Sequence, residues 1–477
     1  MDTRNIFKNI SPIDHRYSIS DPALRMQLEE WLSENASIKA CTKAEIALIC
    51  AHLTVRKTMT DALRTQLETV AQSVDPTEVY AEEEKTHHNI RALVNVLKKK
   101  VPADIAPLIH LGATSVDILD TSLSWRMAGV TCNVVLPGLK KLELLLCEFA
   151  EKEAETPQVG RTHGQHAVPI TLGFTFAEYV SRLGKSILEI EARSKQLKGK
   201  LSGAVGAYNA TSMIVKDPEE LERIYLSELG LEPSEHSTQL VEPEYLLRLL
   251  LEINVAFGII ANLADDLRNL QRSEIGEVRE GFGADQVGSS TMPQKRNPWN
   301  SEHVKSLWKA FMPRVNTFFM DQISEHQRDL SNSASQRFIA DYVTGFCLAV
   351  SRMTSVIKDL GADTERLLAN LGGSSGGIPG GVLAEPAYIL LAETGESDAH
   401  EVIRKITLTA EKENLSFAAA LSKEPSVLKK IGGKLAELGF VSNADNALSF
   451  FEKPESYNGL AAKKATTLSA KYKKLME

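Results

Sequence analysis

The stretch 243-PEYLLRLLLEINVAFGIIANLADDLRNLQRS-273 decides the architecture. Leu246, Leu249, Ile253, Ala256, Ile260, Leu263, Leu267 and Leu270 step alternately by three and four residues, which draws a continuous seam along one side of a helix. A second stripe, Leu247, Leu250, Leu251, Val255 and Ile259, flanks the first. A helix that is apolar on more than one side needs cover on more than one side. Residues 171–201 and 299–325 also read as long helices, with a kink at Pro313. The expectation is an all-α chain with a rod-like central bundle whose packing continues into other subunits.

Working outward, residues 116–155 read as a further long helix, interrupted near Pro137-Gly138, with Thr114 or Ser115 as its N-cap. Segments 22–35, 38–56 and 58–73 carry helical spacing, and helices of ordinary length fill 383–477. The acidic run Glu82-Glu83-Glu84 suits the first turn of a helix. On such a helix His87 and His88 would point about 100° apart, unlike a metal pair at i,i+4. Gly160–Pro169 reads as a loop of specific shape, Gly203–Ala207 as a turn of small residues, and Gly372–Gly381 as a flexible loop or linker. No stretch reads as a sheet. Three domains are expected: an N-terminal helical domain at 1–112, a central long-helix domain at 113–364 and a C-terminal helical domain at 365–477.

The composition narrows the function classes. The chain has 477 residues, 43% hydrophobic and 24% charged, which is ordinary for a soluble globular protein and too long for one core. Neither a membrane span nor a secretory leader is expected. The five cysteines show no CxxC spacing, so the expectation is a reducing cytoplasm without disulfides or zinc. The net charge of −8 (54 minus 62) argues against a general nucleic-acid binder. An anionic substrate would need cations gathered locally.

The candidate chemistry begins at Gly288-Ser289-Ser290-Thr291-Met292-Pro293-Gln294-Lys295-Arg296-Asn297-Pro298. This polar loop lies between apolar helical segments, where it is either a connector or a site. Lys295 and Asn297 can hold a carboxylate, one by charge and one by amide donors. Ser289 or Ser290 can accept a proton if a cation and backbone N–H groups stabilise the alkoxide. Taken one at a time, Arg16-Tyr17 read as ordinary surface residues, His110 with Thr114-Ser115 as a helix cap, and Arg328 with Ser333 and Arg337 as a charged turn, while Thr162-His163 lie in the loop of specific shape. The Arg328–Arg337 stretch can also gather a phosphate.

Together these stretches resemble a known family. The eleven-residue loop resembles the signature GSSxMPxKxNP of the fumarase/aspartase superfamily. Ser11–Tyr17, Lys85–Asn89, His110–Asp117, Gly160–Gly164, Ser237-Thr238-Gln239 and the Arg328…Ser333…Arg337 spacing resemble blocks of its adenylosuccinate lyases. One departure stands out: Asn89 occupies a position where that family usually has aspartate.

The resemblance implies a three-domain fumarase/aspartase-like fold and a homotetramer whose sites draw on three subunits. It implies a carbon–nitrogen lyase of purine biosynthesis that eliminates fumarate from adenylosuccinate to give AMP. The imidazole carboxamide ribotide SAICAR would be cleaved likewise to AICAR. His163 would be the general acid and Ser289 the base. Arg16, Tyr17, His88, Asn89, His110, Thr114, Ser115, Thr162, Gln239, Lys295, Asn297, Arg328, Ser333 and Arg337 would bind substrate. No metal or cofactor is implied, and no nucleic-acid or membrane partner. The alternatives are another superfamily enzyme, argininosuccinate lyase or carboxymuconate cycloisomerase, which would not need the phosphate set, or a non-catalytic structural homologue. The presence of His163, Ser289 and Lys295 disfavours the last.

Overall fold

Alternating three- and four-residue steps do produce one unbroken helix, Glu244–Leu270, in the computed structural model, which describes residues 5–283, 288–375 and 377–477. Leu249, Ile253, Ala256, Ile260, Leu263 and Leu267 are buried along its seam, as are Leu247, Leu250 and Ile259 of the second stripe. By length and composition alone this helix could cross a membrane, a test that the core helix of a soluble protein also passes. However, 56% of its most apolar window is buried inside the protein, which marks a core helix.

The chain is all-α in its long elements, and its backbone falls into two compact units. The first contains Met1–Lys140, Lys185–Ile260 and Ser306–Ser351. Here Tyr342, on the Ile339–Lys358 helix, donates to the Leu250 carbonyl at 3.3 Å, and Phe257 meets Phe346 edge-on at 5.4 Å. A second core in this unit joins the Glu34–Val55, Asn89–Lys98 and Pro218–Ser227 helices through Leu48, Ile49, Leu93, Leu97 and Leu226.

The other unit contains Lys141–Gly184, Ala261–Lys305 and Arg352–Glu477. Tyr179, on the Leu172–Ser194 helix, hydrogen-bonds Asp266, and Arg182 donates to Asn262 Oδ1 at 2.9 Å. Its C-terminal core gathers Leu391, Ile403, Phe417, Ile431, Leu435 and Phe451.

Several local expectations change. The helix expected over 116–155 is Ser115–Val130 and Leu136–Lys152, joined by a π-helical turn at Thr131–Val135. Pro137 has no N–H to donate, and the wider turn absorbs the mismatch. Pro313 similarly separates Trp299–Phe311 from Arg314–Met320.

The acidic run does not open a helix. It lies in the last turns of Pro76–Thr86, where Lys85 and Lys99 pair with Glu82 and offset the unfavourable dipole. His87 ends that helix at φ +51°, and His88 caps the next one, so the two do not share a helix.

The expected absence of sheet is also corrected. Pro157–Thr162 pairs antiparallel with Gln165–Thr171, with a register shift at Gly160. A two-stranded hairpin has only edge strands, which is why Pro169 is tolerated opposite Val159. A Cβ on Gly160 would lie 2.7 Å from the Val168 carbonyl oxygen.

Candidate active site

The hairpin presents His163 at its tip. Thr162 pairs with Gln165, leaving His163 and Gly164 as a two-residue turn with φ of +55° and +73°. Positive φ at both central positions is the I′ geometry, whose twist matches that of the strands. Thr162 and His163 stand exposed on it. Two residues before the tip, Arg161 makes a two-pronged ion pair with the fully buried Glu277, at 2.5 and 3.0 Å. Gln158 and Asn370 donate to the same carboxylate, each at 2.8 Å. This buried hub fixes the base of the hairpin, and neither Glu277 nor Gln158 belongs to any motif noted in the sequence.

The loop 288–298 closes on itself. Asn297 donates from Nδ2 to the Gly288 carbonyl at 2.9 Å, and a Cβ on Gly288 would lie 2.2 Å from the Lys295 carbonyl oxygen. Within the loop, the Ser289 hydroxyl oxygen accepts from the Met292 N–H at 3.1 Å and from the Thr291 N–H at 3.4 Å. Lys295 is exposed, and the Arg296 guanidinium lies over the Phe282 ring. Where the loop enters the Trp299–Phe311 helix, Glu280 accepts from the Ser301 N–H at 2.9 Å and from its hydroxyl at 2.5 Å.

In the first unit, His88, His110, Thr114 and Ser115 line one cavity of about 500 Å³. His110 sits at φ +59° in the turn before the Ser115–Val130 helix. Thr114 caps that helix, and its N–H donates to Asp117 Oδ2 at 2.7 Å. Asp117 pairs in turn with Lys200, and both are fully buried. His88 accepts from the Arg91 N–H through Nδ1 at 3.2 Å, which directs Nε2–H as the donor of the neutral ring.

Arg91 and Lys98 line the same cavity and went unremarked in the sequence. They lie seven residues apart, on one face of the Asn89–Lys98 helix, and that spacing was the available signal. Asn89 does not join them. It lines a separate small cavity with Glu34, Tyr80 and Glu83.

The remaining candidates lie elsewhere in the first unit. Tyr17 lines a cavity of about 350 Å³ with Asp21, Arg25 and Asp341, while Arg16 is exposed. Gln239 donates its N–H to the Gln327 carbonyl at 3.4 Å, beside Arg328 in the chain. A Cβ on Gly206 would lie 1.8 Å from the Ser237 carbonyl oxygen, so the turn of small residues backs the Ser237–Gln239 loop. Arg328, at φ +80°, uses its guanidinium within its own loop, on the Gln322 carbonyl (3.1 Å) and the Ser324 hydroxyl (2.9 Å). Ser333 and Arg337 are exposed.

The long helices and the serine-bearing loop define a lyase of the fumarase/aspartase type. The fold is shared with a fumarate lyase from Mesorhizobium sp. BNC1 (TM-score 0.78, 20% identity, 93% of this chain and 97% of that one). It is also shared with the 3-carboxy-cis,cis-muconate lactonizing enzyme from Pseudomonas putida (TM-score 0.76, 24% identity, 96% and 98%). Residues 15–310 match the Lyase family and residues 324–440 the adenylosuccinate lyase C-terminal family.

Within that class, the chain belongs to the adenylosuccinate lyase family. It is 32% identical over 460 residues to the adenylosuccinate lyase of Pyrococcus abyssi, covering 95% of each chain. It is 29% identical to that of Archaeoglobus fulgidus, covering 95% of this chain and 96% of the relative.

Proposed function

We propose that this chain eliminates fumarate from adenylosuccinate to give AMP, and from SAICAR to give AICAR. The likeness to adenylosuccinate lyases along nearly the whole of both chains carries this reading. The difficult step is removal of a proton from the carbon beside a carboxylate, which leaves an aci-carboxylate dianion. Ser289 is the base. The two backbone N–H groups already aimed at its oxygen are what an alkoxide requires, and they support this assignment.

Lys295, Thr162 and the free donor of the Asn297 amide bind the developing negative charge, with Thr114 and Ser115 at their helix N-terminus. His163 protonates the departing nitrogen, a task suited to an imidazole near neutral pH. His88, His110 and Gln239 orient substrate, while Asn89, which faces the separate cavity, is left without a direct contact in this reading. Arg16, Tyr17, Arg328, Ser333 and Arg337 take its phosphate end, which requires Arg328 to exchange part of its loop bonding for phosphate. No metal or cofactor takes part in these steps.

The domain organisation proposed is 1–112, 113–364 and 365–477, in a cytoplasmic homotetramer whose sites each draw on three subunits. Purified protein with adenylosuccinate, followed by ultraviolet absorbance, is expected to release fumarate. His163→Ala is expected to lower kcat by about 10²–10⁴. Absence of turnover in the unmutated tetramer refutes the assignment.

A further inference from the structure

The Glu34–Val55 helix carries a charge that its sequence does not explain. Glu45 stands in Ala44-Glu45-Ile46-Ala47-Leu48-Ile49 and is fully buried. Both its oxygens turn to one residue. Oε1 lies 2.7 Å from His110 Nδ1, and Oε2 accepts the His110 backbone N–H at 3.1 Å. Two turns further along the same helix face, the buried His52 places Nε2 2.8 Å from the Leu111 carbonyl oxygen. Burial, the larger influence, pushes the His52 pKa down, so its ring is a neutral donor. One helix thus grips both residues of a turn whose His110 holds a left-handed backbone. That conformation is strained for a histidine, and the two grips of the helix hold it in place.

We infer that Glu45 is a positioning residue that fixes His110 as an imidazolium, with Nδ1–H bound to Glu45 and Nε2–H available to an anionic group of the substrate. A buried carboxylate needs a paired cation, and the ring is the group within reach. The inference deepens the proposed function by making His110 a cationic carboxylate or phosphate ligand, rather than a neutral contact.

The surrounding charges fit this. Burial alone would lower the His110 pKa, but the hydrogen bond and charge of Glu45, helped by Asp117, raise it overall against the opposing Arg91. Asp117 is itself neutralised by Lys200. Arg91 and Lys98, from the Asn89–Lys98 helix, line the cavity with His110 and the capping His88, and give it a cationic wall.

The test needs no substrate in its first arm. The His110 ring resonance is followed against pH by NMR in labelled full-length protein, assigned by its loss in His110→Asn. In the parent its midpoint is expected above that of an ordinary histidine, and in Glu45→Gln it is expected to fall. In the second arm, Glu45→Gln raises KM for adenylosuccinate by about ten- to hundredfold, the usual effect of losing a charged hydrogen bond, and affects kcat less. The loss of affinity at alkaline pH moves to lower pH. In the His110→Asn background, Glu45→Gln adds no further loss.

An unshifted midpoint in folded Glu45→Gln overturns the inference, as does an additive loss in the double variant. Should Glu45→Gln not fold, a parent midpoint at or below the ordinary value overturns it alone. Protein that fails to cleave adenylosuccinate, yet shows the raised midpoint and its fall, removes the proposed substrate and leaves the role of Glu45 standing.

Discussion

Replacing Lys200 with methionine keeps most of its volume and deletes the ammonium. In the folded protein, Lys200 binds Asp117 and donates to the Gly203 carbonyl at 3.1 Å, with no solvent reaching either member of the pair. Asp117 also accepts from Thr114 N–H at 2.7 Å and Gly203 N–H at 3.3 Å, but two amides do not replace a cation. Stranding a buried carboxylate costs about 3–5 kcal/mol.

The measurement is urea unfolding followed by tryptophan fluorescence. Trp31 and Trp125 pack at 5.3 Å in the same unit, and Trp125 lies on the helix that begins at Ser115. Lys200→Met is expected to lose about 3–5 kcal/mol, and the double variant Lys200→Met/Asp117→Leu to recover at least about 1 kcal/mol of it. A single variant within about 1 kcal/mol of the parent refutes the reasoning. So does a double variant no better than the single one.

Two further outcomes follow from local geometry. Gly288→Ala places a methyl 2.2 Å from the Lys295 carbonyl oxygen, so the loop must part and loosen the Asn297–Gly288 bond. Turnover should fall about a hundredfold or more, while the melting curve stays close to the parent's; parent-like kcat/KM would contradict the geometry. Glu143 is buried with neither carboxyl oxygen hydrogen-bonded among the described residues, and burial lifts its pKa from 4.5 to about 9. The folded state therefore holds a proton that the unfolded state releases, and this group lowers stability as pH rises from about 4.5 to 9. Relative to the parent, Glu143→Met should gain roughly 3 kcal/mol at neutral pH over its effect near pH 4, read from denaturation at both. A pH-independent difference would count against a buried neutral carboxyl.

What the sequence disclosed depended on how far each signal travels along the chain. The Glu244–Leu270 helix was legible because its seam repeats seven steps without a break, a purely local pattern. The hairpin was not. Its strands carry Gly160 and Pro169, and they are held by Glu277, more than a hundred residues later. The break between His87 and His88 was hidden because a left-handed residue other than glycine leaves no compositional mark.

The serine loop and the histidine-bearing segments were visible as motifs, but what holds them in place was not. Glu45, His52 and Lys200 reach partners 65, 59 and 83 residues away. The trace of Glu45 and His52 in the sequence was a single charged or polar side chain inside an apolar run, which marks burial without naming the partner; Lys200, in Lys198-Gly199-Lys200-Leu201-Ser202, left no such mark.

His110, His163 and Arg328 share a backbone conformation that glycine adopts freely and that costs other residues about 1–2 kcal/mol. A screen that rewards only heat resistance would therefore favour glycine or asparagine at these three positions, and each gain would erase a functional group. Engineering a hardier form of this protein would have to hold them fixed and look for its increments elsewhere. In a distant relative that has lost its activity, these same positions should be among the first to drift toward glycine.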